Sequence, residues 1–83
     1  KGTTWEGGVR VPCVIRHPRV VAAGSTCSTP CMTIDILPTI VELTGGQAPT
    51  KEIDGVSIVP QLRGDSSAPP PHEELFFWYH RGD

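Results

Sequence analysis

No apolar run in this 83-residue sequence approaches the roughly 18 residues that a membrane-spanning helix needs, so no such helix is encoded here. Positive charge is not in excess either. Seven Lys and Arg stand against nine Asp and Glu, giving a net charge of −2, and nothing forms the basic stripe that a nucleic-acid surface demands. Apolar residues make up only 37% of the chain. At this length a chain buries only about 60% of its unfolded surface, so one marginal core is the most it can form. An initiating methionine is absent and no signal or transit peptide is visible. A piece of a longer protein would show neither, which leaves localisation unknown. Cysteine is scarce and odd in number: Cys13, Cys27 and Cys31. An oxidised scaffold usually shows an even set, and the step of four from Cys27 to Cys31 is not the C-x-x-C of zinc ribbons or redox pairs. The three read as small, partly buried hydrophobes, with a Cys27–Cys31 disulfide left open.

Glycine and proline are plentiful, nine of each, which points to turns and irregular backbone. Residues 1–8 form a Gly- and Thr-rich loop. From Val9 to Ile15 apolar residues alternate, which predicts a strand. Pro12 cannot donate to a ladder, so that strand lies at an edge or carries a bulge. Residues 17–19 break it, residues 20–23 are short and apolar, and Gly24-Ser25 turns the chain. Thr33 or Asp35 can cap a helix running to about Thr44. Ile36, Leu37, Ile40, Val41 and Leu43 share its apolar face, which is expected to be buried, and Asp35, Thr39 and Glu42 line the other. Pro38 is tolerated in the first turn, and Gly45-Gly46 supplies the stop.

Further on, Asp54-Gly55 is a turn signal. Ser57 can cap a short helix from about Ile58 to Arg63, ended by Gly64. Pro69-Pro70-Pro71 favours extended polyproline geometry. Residues 75–79, Leu-Phe-Phe-Trp-Tyr, read as a strand entering a core. His17, His72 and His80 are scattered, and they read as surface or satisfied histidines rather than a metal triad. Arg81-Gly82-Asp83 spells an adhesion tripeptide, a string short enough to arise by chance.

The chemistry is concentrated at the start. Taken alone, Lys1 is a solvated charge. Beside it stand Gly2, which lets backbone pass close to another group, and the hydroxyls of Thr3 and Thr4. An ammonium held among such neighbours suits a tetrahedral anion, because it is a compact charge that meets an oxyanion directly. Glu6 and Arg10 lie four apart on no helix. The expectation is that Glu6 bonds backbone N–H groups of the glycine turn and Arg10 bonds carboxylates elsewhere. Trp5 is expected to serve packing rather than recognition.

Lys1-Gly2-Thr3-Thr4-Trp5-Glu6-Gly7-Gly8-Val9-Arg10-Val11-Pro12 resembles the late active-site segment of the sulfatases. Two further blocks are similar to that family in the same order. Thr33-Ile34-Asp35-Ile36-Leu37-Pro38-Thr39-Ile40 resembles the helix after its catalytic strand. Ile53-Asp54-Gly55-Val56-Ser57, continuing through Pro60-Gln61-Leu62-Arg63-Gly64, resembles the turn and short helix that follow. A departure occurs at His17-Pro18-Arg19, where the family usually shows Trp-Pro-Gly.

The resemblance implies an α/β fold, as a fragment of an alkaline-phosphatase-like sandwich. Residues 1–83 would then be a partial sulfatase domain, from the end of the catalytic domain to the start of the C-terminal subdomain. It implies hydrolysis of sulfate monoesters, with Lys1 as the catalytic and substrate-binding residue that contacts the sulfate ester and helps stabilise the leaving oxygen. It also implies calcium and a formylglycine nucleophile in the parent enzyme. The formylglycine motif and the Asp and Asn calcium ligands are absent here, so no metal ligand is assigned and the chain alone is expected to be inactive. Periplasmic, secreted or lysosomal placement would be usual for the family, and oligomeric state is open. Two rival readings stand beside it: a phosphonate or phosphate ester hydrolase of the same superfamily, and an inert truncated module.

Overall fold

A computed structural model of the chain describes residues 2–79. Its ordered elements are three helices: α1 at Glu6–Val9, α2 at Ile36–Thr44 and α3 at Val59–Leu62. A single 3-10 turn, Thr33–Asp35, leads into α2. Among the described residues there is no strand. The radius of gyration is 14.5 Å, whereas a compact domain of this length has about 12 Å. The chain is drawn out because long stretches between helices run without regular pairing.

Helix α2 is set by local chemistry. Asp35 reaches back with Oδ2 to accept the Met32 N–H at 2.7 Å, half of a capping box. Asp35 stands at the N-cap position of α2, as the sequence allowed, but its side chain makes no cap bond to the helix and reaches back to Met32 instead. At the other end Gly45 adopts φ +68°, a left-handed value natural only to glycine. Gly46 N–H then returns to the Val41 carbonyl at 3.0 Å, the 6→1 bond of a Schellman stop. Helix α3 also matches its sequence signals. Ser57 Oγ accepts the Val59 N–H at 3.3 Å, Pro60 lies in the first turn, and Gly64 follows at φ +75°.

The face of α2 turned inward is the reverse of the expectation. Ile36, Leu37 and Ile40 are 51–54% exposed. Asp35 and Thr39 are buried at 1% and 6%. The reason is a set of polar ties to residues 56–58. Thr39 Oγ1 accepts the Ile58 N–H at 3.0 Å and donates to the Asp35 carbonyl at 2.6 Å. One turn on, Glu42 Oε2 accepts from the Ser57 hydroxyl at 2.9 Å. The i, i+4, i+7 stripe of Asp35, Thr39 and Glu42 is thus the docking stripe for the 56–59 segment. Buried polar groups require partners, and these ties supply them. The apolar core beneath is small: Ile58 and Val59 are its buried members.

The two expected strands do not form. Residues 11–16 and 75–79 carry no strand geometry, and Val14, Phe76 and Trp78 are 94%, 77% and 95% exposed. A strand is stabilised by a partner's ladder, and the described chain offers neither stretch one. The α/β architecture is therefore not seen within the described residues, which form helices and irregular backbone. Val9 itself belongs to the end of α1.

Candidate functional site

The described part of the first segment folds into a tight loop. Gly2 takes φ +77°. A Cβ on Gly8 would run into the carbonyl and hydroxyl of Thr3, so Thr3 and Gly8 lie against each other and glycine is required at position 8 for space. The Trp5 carbonyl accepts N–H bonds from Gly8 at 2.7 Å and Val9 at 3.1 Å, and the Glu6 carbonyl accepts from Arg10 at 2.8 Å. These bonds make α1, a single turn. The far end of the described chain returns here: the Tyr79 hydroxyl stands 3.9 Å from the point that a Gly2 Cβ would occupy.

Lys1, the sequence-assigned catalytic residue, lies outside the described residues, as do His80 and the Arg81-Gly82-Asp83 string. Glu6 and Arg10 sit on one helical turn rather than on none. Their charged ends lie 3.7 Å apart with both side chains largely in water. They face each other instead of the backbone N–H groups and distant carboxylates first expected, and an exposed pair of this kind contributes little. Trp5 is 81% exposed and is not a packing residue in this chain. Cys13, Cys27 and Cys31 are exposed free thiols, which corrects their reading as partly buried hydrophobes. Among the described residues no group of three or more His, Cys, Asp or Glu side chains could hold a metal.

The best-built polar site is centred on Asp35, whose role as an anchor the sequence did not reveal. Oδ1 accepts the Val56 N–H at 2.9 Å and contacts His72 Nε2 at 2.6 Å, and Oδ2 takes the Met32 N–H. His72 is itself largely buried, with 13% of its side chain exposed. Burial pushes the Asp35 carboxyl up, but the N–H groups of Val56 and Met32 and the His72 ring outweigh it and hold the carboxyl below the usual range. Gly55 lets this happen, since a Cβ there would collide with the Ile34 carbonyl. His72 is brought in by a second tie, from Gln61 Nε2 to the Pro69 carbonyl at 2.9 Å. Sequence signals for the cluster were indirect: a polar helical stripe and a glycine that looked like a turn residue.

The arrangement holds three chain segments around one carboxylate. It has no nucleophile–base pair of its own, so its chemistry must be read from what the chain belongs to. The sequence profile of the family described as N-sulphoglucosamine sulphohydrolase, C-terminal, matches residues 1–82. The chain belongs to this family of sulfatases. It is 43% identical to the steryl-sulfatase of Mus musculus over 79 residues, covering 94% of this chain and 12% of that protein. It is 44% identical to human arylsulfatase D over 75 residues, 89% of this chain and 12% of that one. A sulfatase of Formosa agariphila is 41% identical, with 99% of this chain and 15% of that protein covered. The chain thus spans about an eighth of the length of the first two of these relatives. No solved structure matches it.

Proposed function

We propose that these residues are part of a sulfatase that hydrolyses sulfate monoesters, as a partial domain that joins the end of an α/β catalytic domain to a C-terminal subdomain. Within it Lys1 is the residue of this chain that contacts the sulfate ester. The observation that carries the reading is the family match over residues 1–82, which includes Lys1 and the glycine-rich segment after it. The tight loop of residues 2–10 supports it: a left-handed Gly2 and the Thr3–Gly8 contact fix the backbone immediately behind the lysine.

A lysine ammonium is a compact charge. As the ester S–O bond breaks, negative charge grows on the leaving oxygen. An ammonium fixed there stabilises that charge more than it stabilises the bound substrate, so its effect falls on turnover. Formylglycine and calcium are expected in the parent enzyme. The described residues do not fit a calcium site, since they contain no cluster of metal-ligating side chains, and no step is routed through either group. By the same reasoning the isolated chain is catalytically silent.

In the full-length enzyme Lys1→Ala is expected to lower kcat by about 10²–10³-fold, the usual loss for one preorganised oxyanion partner. Lys1→Arg rescues poorly, because a planar fork does not fit a point-charge site. Steady-state kinetics on a generic aryl sulfate checks both. Wild-type turnover in Lys1→Ala would make the lysine a surface charge.

A further inference from the structure

The two ends of the described chain meet at a single polar atom. Among the described residues, the point that a Cβ on Gly2 would occupy has one neighbour within 4 Å beyond the adjoining residues, the Tyr79 hydroxyl at 3.9 Å. The ring carbons of Tyr79 stay farther off, so the tyrosine meets the loop with its polar tip and not with its apolar body. Tyr79 is 57% exposed, and its hydroxyl makes no hydrogen bond among the described residues. A phenol carries one hydrogen to donate, and within those residues this one is unspent. The hydroxyl of Thr3, which the sequence also sets near the lysine, is turned toward Gly8 instead.

We propose that the Tyr79 hydroxyl is a second substrate contact of the sulfatase site, donating a hydrogen bond to a non-bridging oxygen of the sulfate group beside Lys1. This rests on the assignment of Lys1 to the sulfate ester. Consecutive Cα atoms are about 3.8 Å apart, so a hydroxyl standing over Gly2 is held one residue from the group that meets the anion. Gly2 makes the approach possible, because its backbone is left-handed at φ +77° and no side chain stands between it and the phenol.

A sulfate monoester carries its negative charge on the non-bridging oxygens before the reaction begins. An O–H directed there binds the anion as it arrives, through a short, charge-assisted bond. The ammonium has the other task, at the leaving oxygen, where charge appears only as the S–O bond breaks. Loss of the hydroxyl weakens bound substrate and transition state alike and falls on KM, whereas loss of the ammonium falls on kcat.

The test is steady-state kinetics of the full-length enzyme on an aryl sulfate, with inorganic sulfate as inhibitor. Inorganic sulfate has the oxygens but no leaving group, so its inhibition constant reads the oxygen contact alone. Tyr79→Phe keeps the ring and deletes the hydroxyl. A hydrogen bond to a charged group lost in this way is worth about ten- to a hundredfold in affinity. Tyr79→Phe is expected to raise KM and the inhibition constant of sulfate together by that factor, with the loss absent from kcat. Lys1→Ala, run beside it, lowers kcat. If Tyr79→Phe matches wild type in both constants while Lys1→Ala is slow, the hydroxyl contact is overturned and the lysine assignment stands. A fall in kcat with both constants unchanged would make Tyr79 a support for Lys1 and overturn the contact as well. Wild-type turnover in Lys1→Ala removes the lysine assignment, and this contact with it.

Discussion

Asp35 carries more of this structure than any other side chain. A buried carboxylate is costly unless its lone pairs are satisfied, and here two backbone N–H groups and an imidazole satisfy it. Bonds to a charged group are worth about 1.5–3 kcal/mol each. Asp35→Ala in the full-length protein is therefore expected to cost about 3–5 kcal/mol, since it also strands the Val56 and Met32 donors. His72→Ala removes one bond and should cost less. Because the folded carboxyl is held below its ordinary value, its contribution is complete above about pH 4, the unfolded value. It is lost as pH falls through the lower folded value. Denaturation of wild type and Asp35→Asn across that range checks the sign: the gap between them should be widest near neutrality and shrink in acid. A gap that grows in acid would remove Asp35 from this role.

At the scale of elements, what could be read from the sequence divides by where the stabilising information lies. Helices α2 and α3 were legible because their starts and stops are local: Pro38 and Pro60 in first turns, Ser57 before Val59, glycines at 45 and 64. The buried face of α2 was not. Hydrophobic periodicity pointed to Ile36, Leu37 and Ile40, but the partner that α2 meets in this chain is a polar backbone segment, and hydrogen-bond matching overrode apolar area. The strands at 9–15 and 75–79 failed for the same class of reason, because alternation shows a face but supplies no ladder. Of the candidate site, the family was recognisable by resemblance from the motif residues themselves, while Lys1 lies outside the described residues. The Asp35–His72 contact was not, since it joins residues 37 apart. Gly55 gives the element-scale test. A methyl group there meets the Ile34 carbonyl, which is backbone and cannot swing away. Gly55→Ala should destabilise the docking of residues 56–59 on α2 by about 1–3 kcal/mol, the usual cost of overpacking. Unchanged Tm in a thermal melt would refute the contact.

The whole molecule leaves a great deal of apolar surface in water. Trp5, Val14, Phe76 and Trp78 are between 77% and 95% exposed, with the α2 face of Ile36, Leu37 and Ile40 about half open. Open surface on this scale marks an interaction face, and the net charge of −2 offers little repulsion between copies. The isolated 83-residue chain is expected to self-associate at micromolar concentration, and light scattering coupled to size-exclusion chromatography measures it. A monodisperse monomer with a cooperative melt would count against it. Within the longer sulfatase the same surfaces are expected to be covered by the remainder of the protein.

The Asp35 cluster also sets a clock on biosynthesis. Asp35 is polymerised 37 residues before the histidine that completes its carboxylate's shell. At roughly 5–20 residues per second that interval is about 2–7 s. Throughout it Asp35 keeps its water, because withdrawing the charge before His72 and Val56 arrive would cost more than docking returns. Completion of this cluster is therefore held until the chain has grown past His72, so that a chain ending short of that residue lacks the last of the partners that let the Asp35 carboxylate leave water.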